Sequence, residues 1–452
     1  MIIAAYLFSF LIGFAAVNLT VRGFKSLSLP LHILLSLGLG IGICSLLTFF
    51  SFFIFGQYQR FVIIGLSTAA LVLLVILNFR QSRKNQTAFL AASFSIKDIT
   101  VWKIIGCGVW GVLFFGIHFL ATQNPYGLWD AWALWNMKTK FLIFGGQHWT
   151  DVCQKLHWHT HPDYPLLMPF FHTWVYAIIE KQLTFIPFVF AVLLAMACGL
   201  LLYAGLSPFI HKAPAYFASL LLLGNPFYAF MSTAQYADIL LAYYLLSGII
   251  TIVYFVREKN NHMGLLAGIF LGLMSFTKNE GIVMALLLFI LTSIYLFIKN
   301  RTNAKKPVLF FTIGLLLTMS ATILFKIFIA PANTDILPNL TAQNAHLINI
   351  DRFMIIKNGI LQELFNRKWC FIWPFIFILI VLRLPKFFSK ESAIFTFFFL
   401  GFIGILTIIY ITTTTFDLVW WLKTSLARIY LYLLPSILFL CFYVHFKKET
   451  NS

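Results

Sequence analysis

The stretch FIPFVFAVLLAMACGLLLYAGL, residues 185–206, contains no charged side chain. A helix of that length, rising 1.5 Å per residue, crosses the ~30 Å hydrocarbon core of a bilayer. Inside lipid each segment must satisfy its own backbone hydrogen bonds, so a run of this kind is confined to a helix. Similar runs recur near 2–20, 31–55, 61–79, 104–121, 214–231, 237–256, 263–278, 281–299, 308–330, 369–384, 392–413 and 428–446. The chain therefore reads as an all-α, polytopic integral membrane protein with about 13 transmembrane helices. Composition agrees: 61% of residues are hydrophobic and 10% charged, against about 45–50% apolar in soluble domains. The first run lacks a basic leader segment and reads as a retained helix rather than a signal peptide.

A net charge of +18 on a soluble chain would suggest nucleic acid. Here the lysines and arginines collect in short loops between apolar runs, as the positive-inside rule requires of cytoplasmic loops. No nucleic-acid partner is implied; anionic membrane lipids are. The segment PLLMPFFHTWVYAIIE, 165–180, decides the sidedness. If it does not cross, the clusters around Arg22/Lys25, Arg80–Lys103, Lys212, Arg257/Lys259, Lys299–Lys306, Arg383–Lys390 and Lys447/Lys448 share one side. It is read as a juxtamembrane helix lying at the interface. The loops 122–184 and 331–368 then face the exterior, the first with juxtamembrane helices.

That loop holds LWDAWALWNMKTKF, with Asp130 among Trp129, Trp132 and Trp135. Asp130 suits two roles: a helix N-cap, with Trp132, Trp135 and Leu142 as a stripe resting on the membrane, or a general base outside the bilayer. HWHTHPDYPLL follows at 157–167. Its alternating His157, His159 and His161, with Asp163, suit either a metal site or a proline-punctuated loop. Asp238 opens an apolar run and is a candidate helix cap. Lys278 and Arg428 stand at outer membrane edges and Lys326 lies inside a span. Cations so placed point to a phosphate partner, with headgroup snorkelling as the plainer alternative.

In order, these features are an acid after an early span, an interfacial helix, the YPLL at 164–167, an Asp opening a later span and GLLAGIFLGLMSFTKNEG at 264–281. So arranged, the chain resembles the GT-C superfamily of polyprenyl-phosphate-dependent glycosyltransferases, whose members include protein O-mannosyltransferases and the lipid A aminoarabinose transferase. The likeness covers roughly residues 104–300, and TSLAR…LP at 424–435 is similar to bacterial members. Many relatives carry an Asp-Glu pair in the first loop, whereas Ala131 follows Asp130 here.

The resemblance implies an inverting transfer from a polyprenyl-phosphate-linked sugar to a lipid, glycan or protein hydroxyl. It places the active site on the periplasmic face of a bacterial inner membrane. It assigns the base to Asp130, with Asp238 and Asp163 as further acids, and the donor phosphate to Lys278, Arg428 and Lys326. The sugar and acceptor would meet Trp129, Trp132, Trp135, His161 and Tyr164. No redox cofactor is implied, and a divalent metal stays open. The rival reading is a lipid-linked saccharide flippase or another transporter, although its usual paired repeats are not evident.

Overall fold

The computed structural model describes residues 1–21, 27–85, 101–154, 160–181, 183–299, 303–333, 349–413 and 417–448. The regular structure in them is helical. The first half holds α1 (Ile2–Val21), α2 (Leu29–Phe55), α3 (Arg60–Asn85), α4 (Val101–Gln123), α5 (Asn136–Phe144), α6 (Leu167–Ile179), α7 (Phe185–Leu206), α8 (Lys212–Leu223) and α9 (Pro226–Ser232). The second holds α10 (Asp238–Glu258), α11 (Asn261–Ser275), α12 (Asn279–Lys299), α13 (Lys305–Phe328), α14 (Ile350–Leu364), α15 (Ile372–Leu382), α16 (Leu384–Phe387), α17 (Ser392–Thr412) and α18 (Leu418–Phe446).

Ten of these helices are long and apolar enough to cross a membrane, each at an expected span, so the chain is a multi-pass membrane protein. The other three expected spans coincide with shorter helices. The run 214–231 is broken: Asn225 leaves the helical region (ψ 120°), accepts the Tyr228 amide and is followed by Pro226 at the first position of α9. Proline has no N–H to continue the ladder from α8. The run 263–278 yields only the 15 residues of α11. The run 369–384 yields the 11 residues of α15, which starts after Cys370 and Phe371, both in the left-handed region.

Helix α10 is the axis of the molecule. It is buried from Asp238 to Val256 and packs against α2, α7, α11, α12 and α18. The segment 165–180, read as a juxtamembrane helix at the interface, is packed inside the protein. Helix α6 has 13 residues, of which only Tyr176 and Ile178 escape full burial; it is packed against α1, α2, α3, α5 and α7. It is too short to span ~30 Å. Helix α18 begins at Leu418, ten residues ahead of the expected start, so Arg428 lies about 15 Å along a helix rather than at its mouth.

Candidate active site

The residues singled out in the sequence come from five separate elements and meet. Asp130 lies just beyond α4, Asp163 in the turn before α6, and Asp238 is the first residue of α10. Lys278 occupies the turn between α11 and α12, and Arg428 the first half of α18. The Arg428 guanidinium joins two of the acids: Nη1 donates to Asp130 Oδ2 at 2.6 Å and Nε to Asp238 Oδ2 at 2.8 Å. Lys278 Nζ donates to the other Asp238 oxygen at 2.9 Å and lies 3.1 Å from Glu280 Oε1.

Exposure separates the roles. The side chains of Asp238 and Lys278 are 1% and 4% exposed, whereas Arg428 and Asp130 are 24% and 21% exposed. A buried carboxylate is tolerable when its oxygens are paired and hydrogen-bonded. Asp238 thus anchors the two cations, and the reachable edge of the cluster is the Asp130–Arg428 pair.

Neither acid caps a helix. Asp130 and Ala237 flank their helices without a side-chain capping bond, and Asp130 instead donates its amide to the Tyr236 hydroxyl at 3.2 Å. The Tyr236 ring lies under the Arg428 guanidinium, 4.8 Å from centroid to Cζ. Burial, helped by the Asp130 carboxylate, pushes the Tyr236 phenol up to about 12.

A second cluster adjoins the first through Tyr164. Asp163 Oδ2 accepts the Asn279 and Asn333 amides at 2.8 Å each and Lys326 Nζ at 3.3 Å; its carbonyl also accepts Lys326. Burial alone would raise the Asp163 carboxyl, but the Lys326 charge and these hydrogen bonds outweigh it and hold the group below the usual range. Lys326 is 28% exposed. The Tyr164 ring stacks on His161 at 4.6 Å and faces the Lys278 ammonium at 5.7 Å.

The tryptophans do not form one surface. Trp129 and Trp132 are exposed and meet edge to face at 4.4 Å, but Trp135 is buried with Leu142 in the core. The expected stripe of Trp132, Trp135 and Leu142 on the membrane is therefore corrected. Residues Ala131–Trp135 form a π turn, in which the Asn136 amide bonds back to Ala131 O. An i to i+5 turn winds through less angle per residue than an α-helix, so positions three apart no longer share a face. Of the three, only Trp129 and Trp132 are exposed.

His157 and His159 lie outside the described residues. Among those described, no group of three histidines, cysteines or acids could hold a metal ion. Sequence reasoning passed over Tyr236, Asn279, Glu280, Asn333 and Lys138. Asn279 and Glu280 were legible beside Lys278 in SFTKNEG, but the partners of the others are set only by tertiary packing.

With this geometry in view, comparison with known families bears on class over part of the chain. Residues 163–325 match the family described as dolichyl-phosphate-mannose-protein mannosyltransferase. The match supports a GT-C superfamily glycosyltransferase that uses a polyprenyl-phosphate-linked sugar. The matched segment contains Asp163, Asp238 and Lys278 and stops one residue before Lys326; Asp130 and Arg428 lie outside it. No curated protein and no solved structure matches the chain.

Proposed function

We propose that the protein transfers a sugar from a polyprenyl-phosphate donor to an acceptor hydroxyl, with inversion, on the non-cytoplasmic face of a bacterial inner membrane. The observation that carries this reading is the Arg428 bridge between Asp130 and Asp238, because it puts a phosphate-binding cation and a candidate base within one hydrogen bond of each other. The acceptor hydroxyl attacks the anomeric carbon, and Asp130 takes its proton. The bond from that carbon to the phosphate oxygen breaks, and polyprenyl phosphate leaves with the electron pair. A single displacement of this kind inverts the configuration.

Arg428 and Lys326 are the cations that a phosphate can reach, and guanidinium pairs with phosphate through charge-assisted hydrogen bonds. In this reading the donor phosphate draws Nη1 away from Asp130, which frees the carboxylate to accept a proton only when donor is present. Asp238 keeps Nε, and Lys278 keeps Asp238. The exposed faces of Trp129 and Trp132 suit an apolar sugar face. Sidedness rests on the basic loops.

The deciding experiment is transfer by the purified protein in lipid nanodiscs, from an α- or β-configured polyprenyl-phosphate hexose to a hydroxyl acceptor. The expected product has the opposite anomeric configuration; a retained one overturns the single-displacement mechanism. Mass spectrometry of surface glycans and glycolipids with and without the gene then names the sugar, as the residue that disappears.

A further inference from the structure

Lys138 on α5 has no place in the mechanism above, yet its side chain is completely buried. Its Nζ donates to the His161 carbonyl at 2.7 Å and otherwise faces the rings of Trp135 at 5.9 Å and Tyr164 at 6.0 Å. An ammonium with one oxygen acceptor and two aromatic faces is costly to bury, so its position calls for a function. The carbonyl it holds also accepts the Tyr164 amide at 3.0 Å and so closes the turn that carries Asp163 and Tyr164. His161 holds a left-handed conformation, φ 45°, which non-glycine residues rarely adopt without support.

We propose that Lys138 is a positioning residue for the transfer site: by fastening the His161 carbonyl to α5 it fixes the His161–Tyr164 turn, and through the Tyr164 ring it sets the place of Lys278. The proposal rests on the glycosyl-transfer reading. Lys326, Asn279 and Asn333 grip the turn at Asp163 from one side, and Lys138 grips it from the other. Without Lys138 the turn keeps its anchor at Asp163 but loses the constraint at His161, the end on which Tyr164 stacks.

This grip is sensitive to pH. Burial brings Lys138 down to about 8, against the opposing pull of Cys153 and Asp163 and with the repulsion of Lys326. The ammonium is present below that pH and lost above it. Transfer should therefore fall as pH rises through about 8.

Two readouts test the proposal. Trp135 reports directly, so wild-type fluorescence minus that of Trp135→Phe should titrate with a midpoint near pH 8, and this titration should vanish in Lys138→Met. In transfer assays Lys138→Met should be about tenfold slower at pH 7, the loss of one hydrogen bond's worth of orientation. Its alkaline decline should be absent. Lys138→Gln restores a donor to the His161 carbonyl without a titrating charge, and should recover most of the rate with a flat profile. An alkaline decline that persists in Lys138→Met, or a Trp135 signal that is flat in the wild type, overturns the proposal. Failure of the glycosyl-transfer reading would look different: the wild-type Trp135 signal would titrate while the protein moved no sugar at any pH.

Discussion

Asp130 precedes a helical run, where a short carboxylate ordinarily accepts backbone amides, yet its side chain spends its hydrogen bond on Arg428. That choice makes its charge matter more than its shape. Asp130→Asn should keep expression and thermal stability while losing transfer by about 10²–10⁴-fold, the usual worth of a general base. Near-normal transfer in this variant would return the base to Asp163 or Asp238. Lys278 is predicted to behave otherwise. Lys278→Met leaves the buried Asp238 with one partner fewer, so it should lower the unfolding free energy by about 3–5 kcal/mol, as unpairing a buried charge does, measurable as a drop in melting temperature. Arg428→Lys, which cannot span both acids, should weaken donor binding by about 1.5–3 kcal/mol with a smaller effect on melting. Equal donor affinity in Arg428→Lys and the wild type would remove the phosphate role. Asp130, Asp163, Asp238, Lys278, Lys326 and Arg428 were legible in the sequence because charge is rare in this chain. Tyr236 and Asn333 were not, since a tyrosine or amide in a membrane protein carries no mark until its partner is known.

Helix α11 shows how two helices bring such residues together without a hydrophobic driving force. Lipid tails are as apolar as leucine, so helices associate through close packing at small residues. A Cβ on Gly268 would lie 2.2 Å from Phe311 O, and one on Gly272 2.0 Å from Thr318 Oγ1 and 2.7 Å from Leu315 O, so the α13 backbone fills the space. The pair matters to the site because α11 leads into Lys278 and α13 ends near Lys326. Gly268→Ala should therefore cost about 1–3 kcal/mol through overpacking and slow transfer as well. Gly108→Ala, on α4 with nothing within 4 Å, should leave both unchanged or melt slightly higher. A Gly268→Ala protein that melts like the wild type would show that the crossing has slack. The long helices could be read from run length alone. The break at Gly224–Pro226 carried a proline signal that run length masked, and the π turn at 131–135 had none, because pattern reasoning assumes an α-helical period.

At the scale of the whole molecule, the two ends differ in what they tie together. The site gathers the starts of α10 and α12 at one end. At the other, Glu391 accepts Lys447 Nζ at 2.6 Å and the Tyr443 hydroxyl, Arg257 Nη1 donates to that same hydroxyl at 3.1 Å, and the Lys448 amide bonds to Phe209 O at 3.0 Å. Burial alone would raise Glu391, but the bonds from Lys447 and Tyr443 hold it at about 2. The loops after α7 and α10, the start of α17 and the end of α18 thus meet, and they carry four of the basic clusters assigned to one side in the sequence. The Tyr216 hydroxyl, near the start of α8, donates to Gly106 O near the start of α4 at 2.8 Å, so α4 starts at this same end and the chain between α4 and α7 returns to the face it left, which a buried, 13-residue α6 allows. Positive loops are retained in the cytoplasm, so the site end should face outward. Cysteines introduced at the exposed Gln147 and Asn303, in a background without the six native ones, check this in intact cells. Gln147→Cys should react with a membrane-impermeant thiol reagent, and Asn303→Cys only after the membrane is opened. The reverse pattern would place the site in the cytoplasm and the basic loops outside. Labelling at both positions would mean that an even number of crossings separates them, and the non-crossing assignment of α6 would have to be given up.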